Sequence, residues 1–128
     1  MVNSQYRAHK KLDVWCESVA LATHIYRLTE RFPKSETYGL ASQMRRSVVS
    51  VPSNIAEGAA RNSRKAFAQF LNVAGGSLSE LDTQMEIAFN LEYLSKEDKI
   101  ELDHKIDSVA GKLAGLMNYM KGKINSEK

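Results

Sequence analysis

The segment running from Gln43 to Gly58, QMRRSVVSVPSNIAEG, most constrains what this chain can fold into. At helical periodicity Ala41, Met44, Val48, Val51, Ile55 and Ala59 fall on one side of a rod. Gln43, Arg46, Ser50, Asn54, Glu57 and Arg61 form a second row about a third of a revolution away. An apolar row this regular must be covered by a neighbouring element, and the polar row is more ordered than a plain solvent face needs. Pro52 lies inside the pattern and removes one backbone donor. The apolar spacing passes through it unchanged, so a kink in this helix is expected and not a break.

The rest of the chain reads as helix too. Proline occurs only at 33 and 52, and no short alternating runs sit between turn clusters. A first helix is expected from about Leu12 to Arg31, ending where Pro33 restricts Phe32. Ser35 or Thr37 is the expected cap of the second helix, which runs to about Ala60. Asn62-Ser63 supplies the next cap, and the third helix runs from about Arg64 to Tyr93 with Phe67, Phe70, Leu71, Ala74, Leu78, Leu81, Met85, Ala88 and Phe89 along one stripe. Gly75-Gly76 in its middle weakens it and calls for a packing reason, most simply close approach of a neighbouring helix. Ser95-Lys96-Glu97-Asp98 has the form of a capping box before a fourth helix, which carries Leu102, Ile106, Val109, Leu113, Leu116, Met120 and Ile124 inward. Short connections between long rods make neighbours antiparallel. The fold class is therefore all-α, an up-down-up-down four-helix bundle over residues 12–124, with a basic amino-terminal tail at 1–11 and a disordered end at 125–128.

One helix of a lone bundle needs one apolar stripe, yet the first helix has two. Leu12, Trp15, Cys16, Val19, Ala22 and Tyr26 lie on one side, and Val14, Leu21, Ile25, Leu28 and Phe32 on the other. Only one side can face the core, and the other is a patch of the kind that marks an interaction surface. Val14, Leu21, Ile25, Leu28 and Phe32 are taken as the candidate oligomer interface, although periodicity alone does not choose between the sides. The lone Cys16 cannot form an internal bridge and reads as a packed thiol in a reducing compartment.

The net charge of +3 hides an asymmetry. Through Lys65 there are 11 Lys/Arg against 5 Asp/Glu, whereas from Ala66 onward there are 7 against 10. Arg7, Lys10, Lys11, Arg61, Arg64 and Lys65 are the candidate phosphate contacts, because guanidinium and ammonium groups attract a nucleic-acid backbone. Gln43, Arg45, Arg46, Asn54 and Glu57, with Glu80 on the third helix, admit a second explanation. Arg45 or Arg46 could pair with Glu57 or Glu80, and Asn54 could satisfy backbone freed by Pro52, giving a structural polar network. No apolar run long enough for a membrane span occurs, and a soluble cytoplasmic protein is expected.

Signals for catalysis are thin. Glu101-Leu-Asp-His104 matches the Glu-x-x-His spacing of di-iron bundles but lacks the second copy and further carboxylates such sites use. No phosphate loop, Cys/His cluster or nucleophile triad emerges. No catalytic residue, metal, cofactor or small-molecule substrate is expected, nor a base-stacking platform, since Tyr6, Tyr38, Tyr93 and Tyr119 do not interleave with the basic residues.

The chain resembles the four-helix-bundle family encoded in intervening sequences of bacterial large-subunit ribosomal RNA genes, to which the accessory proteins of diversity-generating retroelements are related. The resemblance rests on Leu12-Asp-Val-Trp15, Ile25-Tyr26, Phe32-Pro33, Glu36-Thr-Tyr-Gly-Leu40, Gln43-Met-Arg-Arg46, Asn54-Ile-Ala-Glu-Gly58 and Gly76-Ser-Leu-Ser-Glu80. It implies a ring-shaped homopentamer. For the retroelement members it also implies binding of a reverse transcriptase and nucleic acid. Two functions follow as expectations: a non-catalytic oligomer that binds structured RNA or DNA electrostatically, or a scaffold that holds a partner enzyme such as a reverse transcriptase.

Overall fold

The structure, a computed structural model, describes residues 4–126, with side chains over 7–126. Among these residues there are four long helices and no strand: α1 (Asp13–Thr29), α2 (Leu40–Ala59), α3 (Arg64–Asn90) and α4 (Lys96–Ser126), with 3-10 turns at Ser4–Lys11 and Lys34–Glu36. α2 packs against α1 and α3, and α4 against α3 and α1, which closes the four into one arrangement. The amino-terminal segment is not a free tail throughout, because Ser4–Lys11 packs on α1 and α2. Residues 1–3 of that expected tail lie outside the described residues. The fourth helix continues through Asn125 and Ser126, where disorder was expected, and positions 127–128 lie outside.

The apolar row of α2 forms the centre of the core. Met44, Val48, Val51 and Ile55 are fully buried, together with Leu71, Leu81 and Met85 of α3 and Leu102 of α4. Each such side chain contributes about 1.5–3 kcal/mol relative to exposure. α2 is continuous through Pro52, whose ring is itself buried. Near its carboxyl end α2 lies tightly against α3 at Gly58. A Cβ there would lie 2.7 Å from Phe67 Cδ1 and 2.9 Å from Phe70 Cβ. Close approach was expected at Gly75-Gly76 instead. A Cβ on Gly75 would meet only Leu113 Cδ2 at 3.8 Å, and one on Gly76 would meet nothing within 4 Å.

The two sides of α1 are assigned oppositely to expectation. Val14, Leu21, Ile25, Leu28 and Phe32 are buried in the chain's own core, so none of them is available to an oligomer interface. The reason is geometric: α4 and α2 flank α1, and the stripe between those two neighbours is the one that turns inward. The outer stripe holds Val19 at 37% and Tyr26 at 43% exposure, with Val49 of α2 beside it at 40%. Cys16 is exposed rather than packed, its thiol donating weakly to the Lys10 carbonyl at 3.6 Å. The seam between α1 and α4 is polar. Ser108 donates to Glu17 at 2.6 Å, Lys112 lies against the same carboxylate, and Arg31 pairs with Asp98 at 3.2 Å.

One end of the molecule joins the α1–α2 and α3–α4 connections. Neither Ser35 nor Thr37 caps α2. The Glu36 carboxylate does so from the preceding 3-10 turn, accepting from the Leu40 N–H at 3.1 Å, while its other oxygen accepts from the Tyr93 hydroxyl at 3.0 Å. Phe32 and Tyr93 rings pack 5.3 Å apart beside it. α3 ends in a Schellman arrangement, with Tyr93 N–H bonded to Ala88 O and Glu92 N–H to Phe89 O, both at 2.9 Å. Glu92 stands at φ 65°, a left-handed conformation that glycine usually fills. The expected capping box is present: Asp98 N–H donates to Ser95 Oγ at 3.0 Å and Ser95 N–H to Asp98 Oδ2 at 3.3 Å.

Candidate nucleic-acid interface

Antiparallel packing fixes which charges meet. α1 begins, α2 ends, α3 begins and α4 ends at the same pole of the molecule. The amino-terminal segment packs on α1 and α2 there, and brings Arg7, Lys10 and Lys11 to that pole. The α2–α3 connection supplies Arg61, Arg64 and Lys65. These two groups, far apart in sequence, are thus carried at one end. A cleft of about 580 Å³ lined by Asn62, Ser63, Arg64, Lys65 and Ile124 shows that the last turns of α4 reach it. Lys121 and Lys123 therefore belong to the same pole, and they were missed in the sequence. The signal was available, because up-down connectivity returns the end of the fourth helix to the start of the third.

The basic side chains are exposed, and their surroundings differ. Ser63 caps α3, its hydroxyl accepting from Ala66 N–H at 3.1 Å, and this fixes the direction in which Arg64 and Lys65 leave the helix. Arg61 stacks over Phe70 at 4.9 Å, which orients its guanidinium while leaving its donors outward. His9 packs edge-on against Trp15 with ring centroids 5.0 Å apart, holding the basic segment against α1. Among the described residues Lys10, Lys11 and Lys65 make no ion pair. Among the described residues the acidic groups near this pole include Asp13, 3.9 Å from Lys112, and the exposed Glu57. The arrangement leaves several cations exposed at one pole without an enclosed pocket.

The expected polar network does not form as one unit. Arg45 turns toward α1, donating to Thr29 Oγ1 at 2.9 Å and lying over the Tyr26 ring at 4.8 Å. Asn54 donates to the carbonyl and hydroxyl of Ser50 at 2.8 and 2.9 Å, not to backbone freed by Pro52, and Ser50 shares a 2.8 Å hydrogen bond with Ser77 of α3. Gln43, Arg46, Glu57 and Glu80 are exposed, and among the described residues neither Arg45 nor Arg46 pairs with Glu57 or Glu80. The cause is rotational. Arg45 and Arg46 are 100° apart on the helix, so one reaches α1 while the other stays at the surface. Gln43, Arg46 and Glu80 instead rim a cleft of about 530 Å³ between α2 and α3, floored by Ser47, Ser50, Ser77 and Gln84.

Glu101 of the Glu-x-x-His spacing faces His24 Nε2 at 3.8 Å and Lys105 Nζ at 3.9 Å. Among the described residues no group of three potential metal ligands gathers. No helix among them is long and apolar enough to cross a membrane.

A sequence model of the 23S rRNA-intervening sequence protein family matches residues 10–115 of this chain. The chain belongs to that family. None of the proteins with curated descriptions matches it. The fold is similar to the crystal structure of a protein of unknown function from the S23 ribosomal protein family of Bacteroides thetaiotaomicron VPI-5482, with a TM-score of 0.76. The likeness covers 81% of this chain and 97% of the other at 23% identity, and at that identity it concerns the fold alone.

Proposed function

We propose that this member of the 23S rRNA-intervening sequence protein family is a non-catalytic accessory protein that binds structured RNA or DNA through its phosphate backbone, working as a cytoplasmic homo-oligomer. The observation that carries the reading is the convergence of Arg7, Lys10 and Lys11 with Arg61, Arg64 and Lys65 at one pole. Cations grouped on one end and presented without a pocket suit an extended polyanion. The outer stripe of α1, with Val19, Tyr26 and the neighbouring Val49, supports the oligomer, because exposed apolar surface of this kind is commonly covered by another subunit. A closed ring repeats the basic pole around an axis and multiplies its contacts, and the family resemblance makes five the expected number. The related retroelement accessory proteins make a reverse transcriptase the alternative partner.

Binding of a folded fragment of large-subunit ribosomal RNA, followed by fluorescence anisotropy across a salt series, tests this. Log affinity should fall linearly with log salt, with a slope of about −0.9 per phosphate neutralised on duplex. Affinity that is absent at low salt, or independent of salt, would overturn the reading. Nuclease-resistant capture of a reverse transcriptase would replace it with the scaffold alternative. Light scattering that gives a monomer mass removes the oligomer, and Val19→Glu with Val49→Glu should lower the assembled mass if the outer stripe is the interface.

A further inference from the structure

The cleft between α2 and α3 is left without a role by the basic pole, and its chemistry differs from it. Arg46 and Gln43 stand on the α2 wall and Glu80 on the α3 wall, above the buried hydroxyls of Ser47 and Ser77. Gln84 Oε1 is excluded from solvent and has no hydrogen-bond partner. A buried polar atom in that condition is costly unless something bonds to it. The cleft's volume of about 530 Å³ falls in the range typical of ligand sites.

The charges at its rim, one guanidinium and one carboxylate, define what fits. A bare phosphate would meet Arg46 but be repelled by Glu80. A planar group that presents donors and acceptors side by side satisfies both. We propose that the cleft receives an unpaired guanine base, and this rests on the nucleic-acid reading above. Guanine offers two adjacent donors, N1–H and the N2 amino group, which a carboxylate such as Glu80 accepts as a pair. Its O6 and N7 acceptors take a bidentate guanidinium such as Arg46. The exposed Gln43 amide at the rim adds a further donor and acceptor. Adenine lacks the N1–H donor and the O6 acceptor, and uracil has a single donor between two acceptors. Single-stranded positions in folded RNA expose these edges, so the cleft, set away from the basic pole, would add base selectivity to the backbone contacts made there.

The test uses the full chain and guanosine, which carries no phosphate and therefore does not engage the basic pole. Amide and side-chain signals are followed by nuclear magnetic resonance during titration with guanosine, inosine, adenosine and glutamine. Guanosine is expected to shift the Gln84 and Gln43 side-chain amides and the Arg46 Nε–H. Inosine, lacking the N2 amino group, should bind roughly tenfold more weakly, and Glu80→Gln should weaken guanosine by a similar factor. Arg46→Lys keeps the charge but loses the fork, and should weaken it as well. Both residues are exposed, and circular dichroism with thermal melts establishes that the variants fold. Equal shifts with all nucleosides, no shift at all, or a response to glutamine alone would each overturn the proposal. Failure here with salt-dependent RNA binding intact leaves the basic pole standing, whereas loss of RNA binding with guanosine recognition intact indicts the basic pole.

Discussion

The two poles of this molecule handle charge in opposite ways. At the pole of the α1–α2 and α3–α4 connections, Glu36 caps α2 and accepts from Tyr93, Arg31 pairs with Asp98, and Ser95 and Asp98 cap α4 reciprocally. At the other pole Lys10, Lys11 and Lys65 make no ion pair among the described residues, and Arg61 meets only an aromatic face. Charges bonded to one another close loops and fix helix ends. Charges left in water contribute little to stability and remain available to a ligand. The contrast separates a pole built for folding from one suited to binding, although both are polar and both join helices.

The largest expected effect follows directly. Lys11→Glu with Lys65→Glu should lower affinity for structured RNA by about two orders of magnitude at physiological salt and flatten the salt slope by about one unit per cation removed. Lys34→Glu with Lys96→Glu, the same change in charge at the opposite pole, should leave affinity within about threefold, since those charges lie beyond screening distance at physiological salt. Anisotropy measurements on both pairs decide the matter. Equal losses would mean that net charge, and not its placement, drives binding.

A stability contrast comes next, between glycines on facing helices. Gly58→Ala inserts a methyl group 2.7 Å from Phe67 Cδ1 and 3.2 Å from Phe67 O. It should destabilise by about 1–3 kcal/mol, the usual result of overpacking. Gly76→Ala enters open space within a helix and should stabilise by up to about 1 kcal/mol. Urea midpoints at unchanged m-value report both, and effects of the same sign would contradict the packing described for α2 on α3. Because Gly58 lies just before the basic connection, loosening it should also weaken RNA binding, and Gly76→Ala should not.

The pole built for folding carries its own strain. Glu92 occupies a left-handed position for which a side chain costs about 1–2 kcal/mol. Glu92→Gly should therefore raise stability by somewhat less than 1 kcal/mol after the added freedom of the unfolded chain. A fall in the melting midpoint would mean that the Glu92 side chain holds this connection in a way its geometry does not display.

These contrasts also show where the sequence was legible. The apolar row of α2, the Ser63 cap and the Ser95 box follow from spacing and local chemistry, and all three occur as expected. The choice between two apolar sides of α1 did not follow, because periodicity is indifferent to which neighbours flank a helix. The cap at the start of α2 and the arrangement that ends α3 were missed for a related reason. Glu36 caps from an intervening 3-10 turn, and Glu92 fills a position where glycine is the recognisable sign. Gly75-Gly76 drew attention as a pair, whereas the single Gly58 makes the close contact. Of the candidate interface, the individual cations were visible but their convergence was not. It depends on the amino-terminal segment folding back on α2, which no periodicity encodes.

The smallest expected effect tests the polar seam between the poles. His24 on α1 faces Glu101 and Lys105 of α4, with Asp98 and Arg27 also acting on it. Burial is the largest influence and lowers its pKa from the ordinary 6.5; Glu101 opposes this and Lys105 adds to it. Its Nε2 is shut off from water, and Glu101 at 3.8 Å is too distant to bond it. Lowering a base's pKa on folding makes the unfolded chain bind more protons between the two values, so stability rises with pH across that window. The contribution is complete above 6.5 and is lost as pH falls through the folded value. His24→Gln, which cannot titrate, should flatten the dependence of urea stability on pH below 6.5 while leaving RNA binding above it unchanged. A variant that kept the wild-type slope would move the sensitivity to Glu17, held below its ordinary pKa by hydrogen bonds from Lys112 and Ser108, or to Asp98, where burial raises the pKa but the Ser95 hydrogen bonds and Arg31 together bring it below the ordinary value.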